Sequence, residues 1–154
     1  YDDLYSVEPL PGTLTYQIQN GTKGTSRGVE VFGRFAVSDW WRLRAGYTYF
    51  EKDLENKPGH FYDYSDLGYD AENRVMLHSM ADLPANLQFD LTFRYIDPLP
   101  KVDVPDYFTM DARLAWVNKR WEFAVVGQNV WEDRHREYVA WIPRTFYGII
   151  TCRF

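Results

Sequence analysis

The sequence predicts an all-β protein, an antiparallel up-and-down transmembrane β-barrel, and three observations predict it. Apolar and polar residues alternate with period two along one segment after another, the mark of strands whose two faces meet different surroundings. The connections between those segments alternate between short and long, as tight turns at one rim and longer loops at the other produce. Aromatic residues make up 18% of the 154 residues, with 12 Tyr, 10 Phe and 6 Trp. Girdles of Tyr, Trp and Phe at two bilayer interfaces account for such an excess. Mean hydropathy is −0.47. No apolar run approaches the ~20 residues of a membrane helix, so a helical membrane protein is excluded. Barrel strands escape that argument, because alternation averages to a mild hydropathy.

Taken in order, a first strand reads at Tyr1–Val7, shorter than the ~9–11 residues a spanning strand needs. A long connection, Glu8–Thr25, leads to a strand at Ser26–Val37, where Val29, Val31, Phe35 and Val37 oppose Glu30, Phe32 and Arg34. The turn Ser38-Asp39 is short. The strand from Trp41 sets Leu43, Ala45, Tyr47 and Tyr49 against Arg42, Arg44, Gly46 and Thr48. A long segment, Glu51–Asn73, precedes Val75–Asp82, where Met76, His78 and Met80 blur the assignment of faces. After the turn Leu83–Asn86 comes the clearest strand, Leu87–Asp97. Leu87, Phe89, Leu91, Phe93 and Tyr95 point one way, and Gln88, Asp90, Thr92, Arg94 and Ile96 the other. Beyond Pro98–Asp106, the strand Tyr107–Val117 sets Phe108, Met110, Ala112, Leu114 and Trp116 against Thr109, Asp111, Arg113 and Ala115. The turn Asn118-Lys119-Arg120 gives way to a strand at Trp121–Val130. The loop Glu132–Pro143 leads to the last strand, Arg144–Phe154.

A soluble antiparallel sandwich also alternates. Two features favour lipid. The polar faces hold Arg42, Arg44, Asp90, Arg94, Asp111 and Arg113 in mid-strand, and the apolar faces place Trp41, Tyr49, Tyr95, Trp116, Trp121 and Phe154 toward strand ends. The net charge of −5 argues against a nucleic-acid partner, which requires a basic face. Cys152 is the single cysteine, so neither an intrachain disulfide nor a cysteine zinc site is available. His60, His78 and His135 form no metal-type pair, and Asp63, Asp66 and Asp70 lack the spacing of a calcium loop. No phosphate loop or nucleophile elbow is present, so the reading is non-enzymatic, with no cofactor and no metal.

The C-terminal segment, Arg144-Thr-Phe-Tyr-Gly-Ile-Ile-Thr-Cys-Arg-Phe154, resembles the terminal strand of bacterial outer-membrane proteins, whose final aromatic is read by the assembly machinery. Phe154 would be that assembly signal. Gly127-Gln-Asn-Val-Trp-Glu-Asp133, followed by Ile142-Pro-Arg-Thr-Phe-Tyr-Gly148, is similar to the end of TonB-dependent receptors. Val104-Pro-Asp-Tyr-Phe-Thr-Met-Asp-Ala-Arg-Leu-Ala-Trp116 resembles the family's antepenultimate strand. Thr25-Ser-Arg-Gly-Val-Glu-Val31 with Ser38-Asp-Trp-Trp-Arg-Leu43 resembles its recurring hairpin. Cys152 departs from the pattern, since many members carry an aromatic there. The resemblance spans nearly the whole chain. It implies a 22-stranded barrel filled by an N-terminal plug domain, a box that binds TonB, and a place in the bacterial outer membrane.

On that reading residues 1–154 are one C-terminal segment of the barrel, about eight strands without the plug. The implied function is TonB-dependent active uptake of a scarce nutrient such as a ferric siderophore. The implied partners are outer-membrane lipid, the plug and remaining strands, TonB through the plug, and a small-molecule ligand. The alternative is a complete eight-stranded barrel with a structural or adhesion role. Ligand contacts are expected on the acidic, tyrosine-rich outer loop, at Tyr62, Asp63, Tyr64, Asp66 and Tyr69. Lumen-facing charges, among them Glu30, Arg34, Arg42, Arg44, Asp90, Arg94, Asp111 and Arg113, would face plug or water, or pair across strands. Glu132-Asp-Arg-His-Arg-Glu137 reads as a solvated, self-paired loop.

Overall fold

The computed structural model describes residues 1–60 and 69–154. Its strands are β1 (Leu4–Pro9), β2 (Tyr16–Ser38), β3 (Trp41–Asn56), β4 (Asn73–Leu83), β5 (Leu87–Ile96), β6 (Tyr107–Val117), β7 (Trp121–Gln128), β8 (Arg134–Glu137), β9 (Ala140–Pro143) and β10 (Thr145–Cys152). Eight of them form one sheet in the order β1-β2-β3-β4-β5-β6-β7-β10, every neighbouring pair antiparallel. The remaining two, β8 and β9, make a small hairpin of their own. Among the described residues no ladder joins β1 to β10. The sheet is therefore an open wall, and the closed eight-stranded barrel is not what these strands form.

Register carries one facing rule across the wall. On one face the paired rows are Phe35–Leu43–Ser79–Leu91–Ala112 and Val31–Tyr47–Val75–Tyr95–Phe108. On the other, Arg42–Met80–Asp90–Arg113 and Arg44–His78–Thr92–Asp111 line up. The apolar face leaves Val31, Phe35, Phe108, Leu114 and Val125 exposed. A soluble single-layer wall would carry that cost, whereas a bilayer removes it. Aromatics bracket the apolar face: Trp41, Trp116, Trp121 and Phe123 lie toward one rim, and Tyr47, Tyr49, Tyr95 and Phe108 toward the other. Trp41 and Tyr49 are eight residues apart on one strand, about 27 Å of strand length, which suits a tilted apolar band ~25 Å tall. Met76, His78 and Met80, ambiguous in sequence, take the polar face because their partners are Arg94, Thr92 and Asp90.

The short turns share one rim. Asp82 N donates to Trp40 O (2.7 Å), Val117 N to Asn86 O (2.9 Å), and Arg153 N to Arg120 O (2.8 Å), so three turns and the C-terminus are stitched side by side. Local chemistry makes these turns tight. Ala85 and Asn86 take positive φ of 61° and 63°. The Asn118 side chain accepts from the backbone of Arg120 (2.8 Å) and Trp121 (2.7 Å), an Asx turn.

At the long-loop rim the strands run further than alternation alone indicated. Most of the expected loop Glu8–Thr25 is strand: β1 ends at Pro9, a turn follows, and β2 begins at Tyr16. The expected loop after Glu51 is strand to Asn56. Here charges and glycines replace the apolar residues, so the sequence pattern fades, but the ladder continues because Lys23–Glu55 (2.9 Å) and Arg27–Glu51 (2.8 Å) pair across it. Likewise, β8 and β9 lie inside the expected loop Glu132–Pro143.

Candidate ligand-facing rim and lumen wall

The outer loops converge over the polar face. Ala71, Leu99 and Val104 are buried together, with Ile96, Val102 and Tyr107 packed against them. This cluster ties the segment before β4 to the β5–β6 connection, which closes on itself through Leu99 and Val104. Tyr107 stacks on His135 at 4.9 Å, and Arg136 donates to the carbonyl of Asp103 at 3.2 Å, which brings in the β8–β9 hairpin. Tyr69 meets Tyr138 at 5.5 Å, joining the end of the tyrosine-rich loop to the same hairpin. Tyr69 is thus placed at the gathered loops. Tyr62, Asp63, Tyr64 and Asp66 lie outside the described residues.

Two clefts open between these loops. One, of about 260 Å³, is lined by Phe50, Lys52, Asp70, Glu72 and Asp97, with Lys52 Nζ 2.8 Å from Asp70. The other, of about 440 Å³, is lined by Asp106, Tyr107, Arg134, His135 and Trp141 among others, with Arg134 over the Trp141 ring at 4.5 Å. His135 is only 4% exposed. Its Nε2 lies 2.7 Å from Glu137, and its Nδ1 has no partner among the described residues. Within the Glu132–Glu137 segment, expected to be self-paired, His135 meets Glu137, but Asp133 pairs outside it, with Arg144 at 3.0 Å. The segment is not solvated at His135, because the Tyr107 ring covers it. Sequence reading missed Lys52, Tyr107, His135 and Tyr138. None of them had a signal, since the apolar alternation of β3 ends at Tyr49 and the others gather from elements far apart in the chain.

A second polar group fastens the β1–β2 hairpin. Ser6 Oγ donates to Glu8 at 2.6 Å, His60 Nδ1 lies 2.7 Å from the same carboxylate oxygen, and Gly21 N donates to Ser6 Oγ at 3.0 Å. A Cβ on Gly21 would stand 2.2 Å from Glu8 Oε1 and 2.5 Å from His60 Nδ1, so only glycine admits this close approach. The Ser6 hydroxyl, more than any other group, holds Glu8 below its ordinary pKa of 4.5; partial burial opposes it and His60 adds to it. On the outer face above the tyrosine girdle, Arg27 and then the Tyr49 hydroxyl lower Glu51. Among the described residues no group of three or more His, Cys, Asp or Glu is arranged to hold a metal ion.

The lumen face divides into two halves. From β5 to β10 its charges are paired. Arg94 meets Asp111 at 2.7 Å, Arg113 meets Asp90 at 2.8 Å and Glu122 at 2.5 Å, and Arg153 meets Glu122 at 2.8 Å. Arg42 pairs with Asp82. On β2 and β3 one opposed pair is not. Arg34 stands directly opposite Arg44, with His78 as the next partner of Arg44. Neither arginine has a carboxylate partner among the described residues; Arg34 lies over the Phe32 ring at 5.5 Å. Like charges directly opposite on a sheet repel.

The sequence profile of the family described as TonB dependent receptor-like, beta-barrel, matches residues 1–130. Among solved structures, the fold is similar to that of the pyoverdine outer membrane receptor FpvA from Pseudomonas aeruginosa PAO1, bound to pyoverdine. That similarity has a TM-score of 0.68 at 14% identity and covers 99% of this chain and 25% of that one. The chain therefore spans about a quarter of that receptor's length. None of the curated proteins matches the chain.

Proposed function

We propose, from the premise that this chain belongs to the TonB-dependent receptor β-barrel family and hence to the bacterial outer membrane, that it serves the active uptake of a scarce small-molecule nutrient. The 154 residues supply one wall of the barrel and a share of its outer loops. A plug domain and the other strands complete the lumen, and TonB acts through the plug. The family is one of receptors and transporters, and the wall does no bond chemistry. The unpaired Arg34–Arg44 row carries this reading. A lumen wall that leaves two like charges opposite each other is complete only when something anionic fills the lumen, a carboxylate of the plug or a passing ligand.

The ligand enters at the rim where Tyr69, Tyr138, Tyr107, His135 and Trp141 gather, and the family's best-known cargo, a ferric siderophore, fits an aromatic surface with cations behind it. Tyr62, Asp63, Tyr64 and Asp66 are proposed as further contacts from the same loop. Phe154, fully exposed at the short-turn rim, is proposed as the assembly signal. The test is uptake of radiolabelled ferric siderophore by cells that carry or lack the full-length receptor, with and without TonB. Accumulation should require both. Accumulation that persists without TonB would refute active uptake.

A further inference from the structure

Near the short-turn rim, the lipid-facing surface of β6, β7 and β10 is not flat. Two paired rows cross it: Leu114–Val125–Gly148, and below it Trp116–Phe123–Ile150. Gly148 ends the upper row with no side chain, and a groove of about 320 Å³ opens there, lined by these six residues among others. Its lower wall is aromatic, with Trp116 6.0 Å and Trp121 5.9 Å from Phe123. The glycine is not required by the backbone. A Cβ at Gly148 would meet only the Ala124 carbonyl, at 3.8 Å. Gly127, by contrast, has Val130 and Phe146 within 2.7 Å of that position.

The turn directly below this groove holds Lys119 and Arg120, both exposed. Neither has a carboxylate partner among the described residues, whereas the lumen arginines at the same rim, Arg42, Arg113 and Arg153, are all paired. The other two turns of this rim, Asp39-Trp40 and Pro84-Ala85-Asn86, carry no cation. Phe123 and Arg120 are three residues apart, about 10 Å of extended chain. That is the reach from the first carbons of an acyl chain to its phosphate.

We infer that this surface holds one anionic phospholipid, its acyl chain in the groove beside Gly148 and its phosphate on Lys119 and Arg120. Chain burial supplies apolar contact that a smooth barrel face does not offer, and the two cations supply the charge preference. Lysine meets the phosphate as a point charge, and arginine can meet it with two donors. The inference rests on the proposed orientation, in which the short turns lie at the periplasmic leaflet, where the lipids are phospholipids.

Full-length receptor reconstituted in nanodiscs of equal parts phosphatidylglycerol and phosphatidylcholine, then released and weighed by native mass spectrometry, tests it. The expected result is retention of phosphatidylglycerol over phosphatidylcholine by roughly tenfold, given two cations near an anionic headgroup. Lys119→Gln with Arg120→Gln should bring the ratio close to one, and Gly148→Leu should lower retention of both lipids, each variant keeping heat-modifiable gel mobility. Equal retention of the two lipids by the wild type, or a preference that survives the double substitution, would overturn the site. Orientation is read separately by labelling Asn118→Cys, in a Cys152→Ser background, with an impermeant maleimide. Labelling only after the outer membrane is opened supports it. Labelling in intact cells would overturn the orientation, and with it the leaflet, whatever the lipid ratio.

Discussion

Leu91 and Thr92 are neighbours in the chain and face different solvents. Leu91 lies between Ser79 and Ala112 on the apolar face, and Thr92 between His78 and Asp111 on the polar one. A charge near mid-bilayer costs about 2–4 kcal/mol for Arg or Lys, so Leu91→Arg should refold poorly in the whole receptor while Thr92→Arg refolds nearly as well as wild type. Heat-modifiable mobility reads this, and equal yields for the two would reverse the facing. At Gly21 the argument is steric. Gly21→Ala drives a Cβ into Glu8, His60 and Ser6, and should loosen β1 from β2, seen as faster hydrogen exchange of the residue-21 amide, which donates to Ser6 Oγ. The same latch has a pH sign. Because the folded pKa of Glu8 is lowered, its stabilising contribution is complete above the ordinary value of 4.5 and is lost as pH falls through the lowered folded value. Protection of the Gly21 amide should therefore drop on acidification below pH 4.5 and stay flat across that window in Glu8→Gln.

The β8–β9 hairpin is small, with four residues in each strand, and two-stranded ribbons hold poorly alone in water. Its attachment is the Tyr107–His135 stack, the His135–Glu137 contact, the Arg136–Asp103 bond and the Tyr69–Tyr138 pair. His135→Ala removes the first two, roughly 1–2 kcal/mol. Trypsin should then cut at Arg134 and Arg136 some fivefold to thirtyfold faster, with the barrel band intact. An unchanged cleavage rate would show that the hairpin is held elsewhere. The long β2–β3 hairpin differs. Its exposed pairs, Lys23–Glu55 and Arg27–Glu51, are screened by water and contribute little, and its backbone register does most of the holding.

For the molecule as a whole, the open edges at β1 and β10 decide what the chain can do alone. Unpaired backbone groups in lipid cost several kcal/mol each, so an open sheet does not persist in a bilayer. The isolated 154-residue chain, refolded in detergent or lipid, should aggregate and give no compact heat-modifiable monomer. Such a monomer would mean that β1 and β10 can close on each other and that the eight strands suffice.

Alternation by itself determined the wall. The facing of Leu87–Tyr95 and Phe108–Trp116, the short turns and the aromatic girdles all follow from a side-chain period of two meeting lipid on one side. Where that pressure ends, above Tyr49, the signal ended too. The strand portions Tyr16–Thr25 and Glu51–Asn56 carry charges and glycines, and only cross-strand pairing shows that they remain extended. The faces of Met76, His78 and Met80 were likewise undecided until their partners on β3 and β5 were known. The gathering of Tyr69, Tyr107, His135 and Tyr138 joins loops far apart in sequence through stacking and burial, for which no local pattern exists. Solvent periodicity is a property of each strand and is written along the chain. Which charges meet, and that Arg34 stands opposite Arg44 with no carboxylate beside either among the described residues, is a property of register between strands, which only the assembled sheet decides.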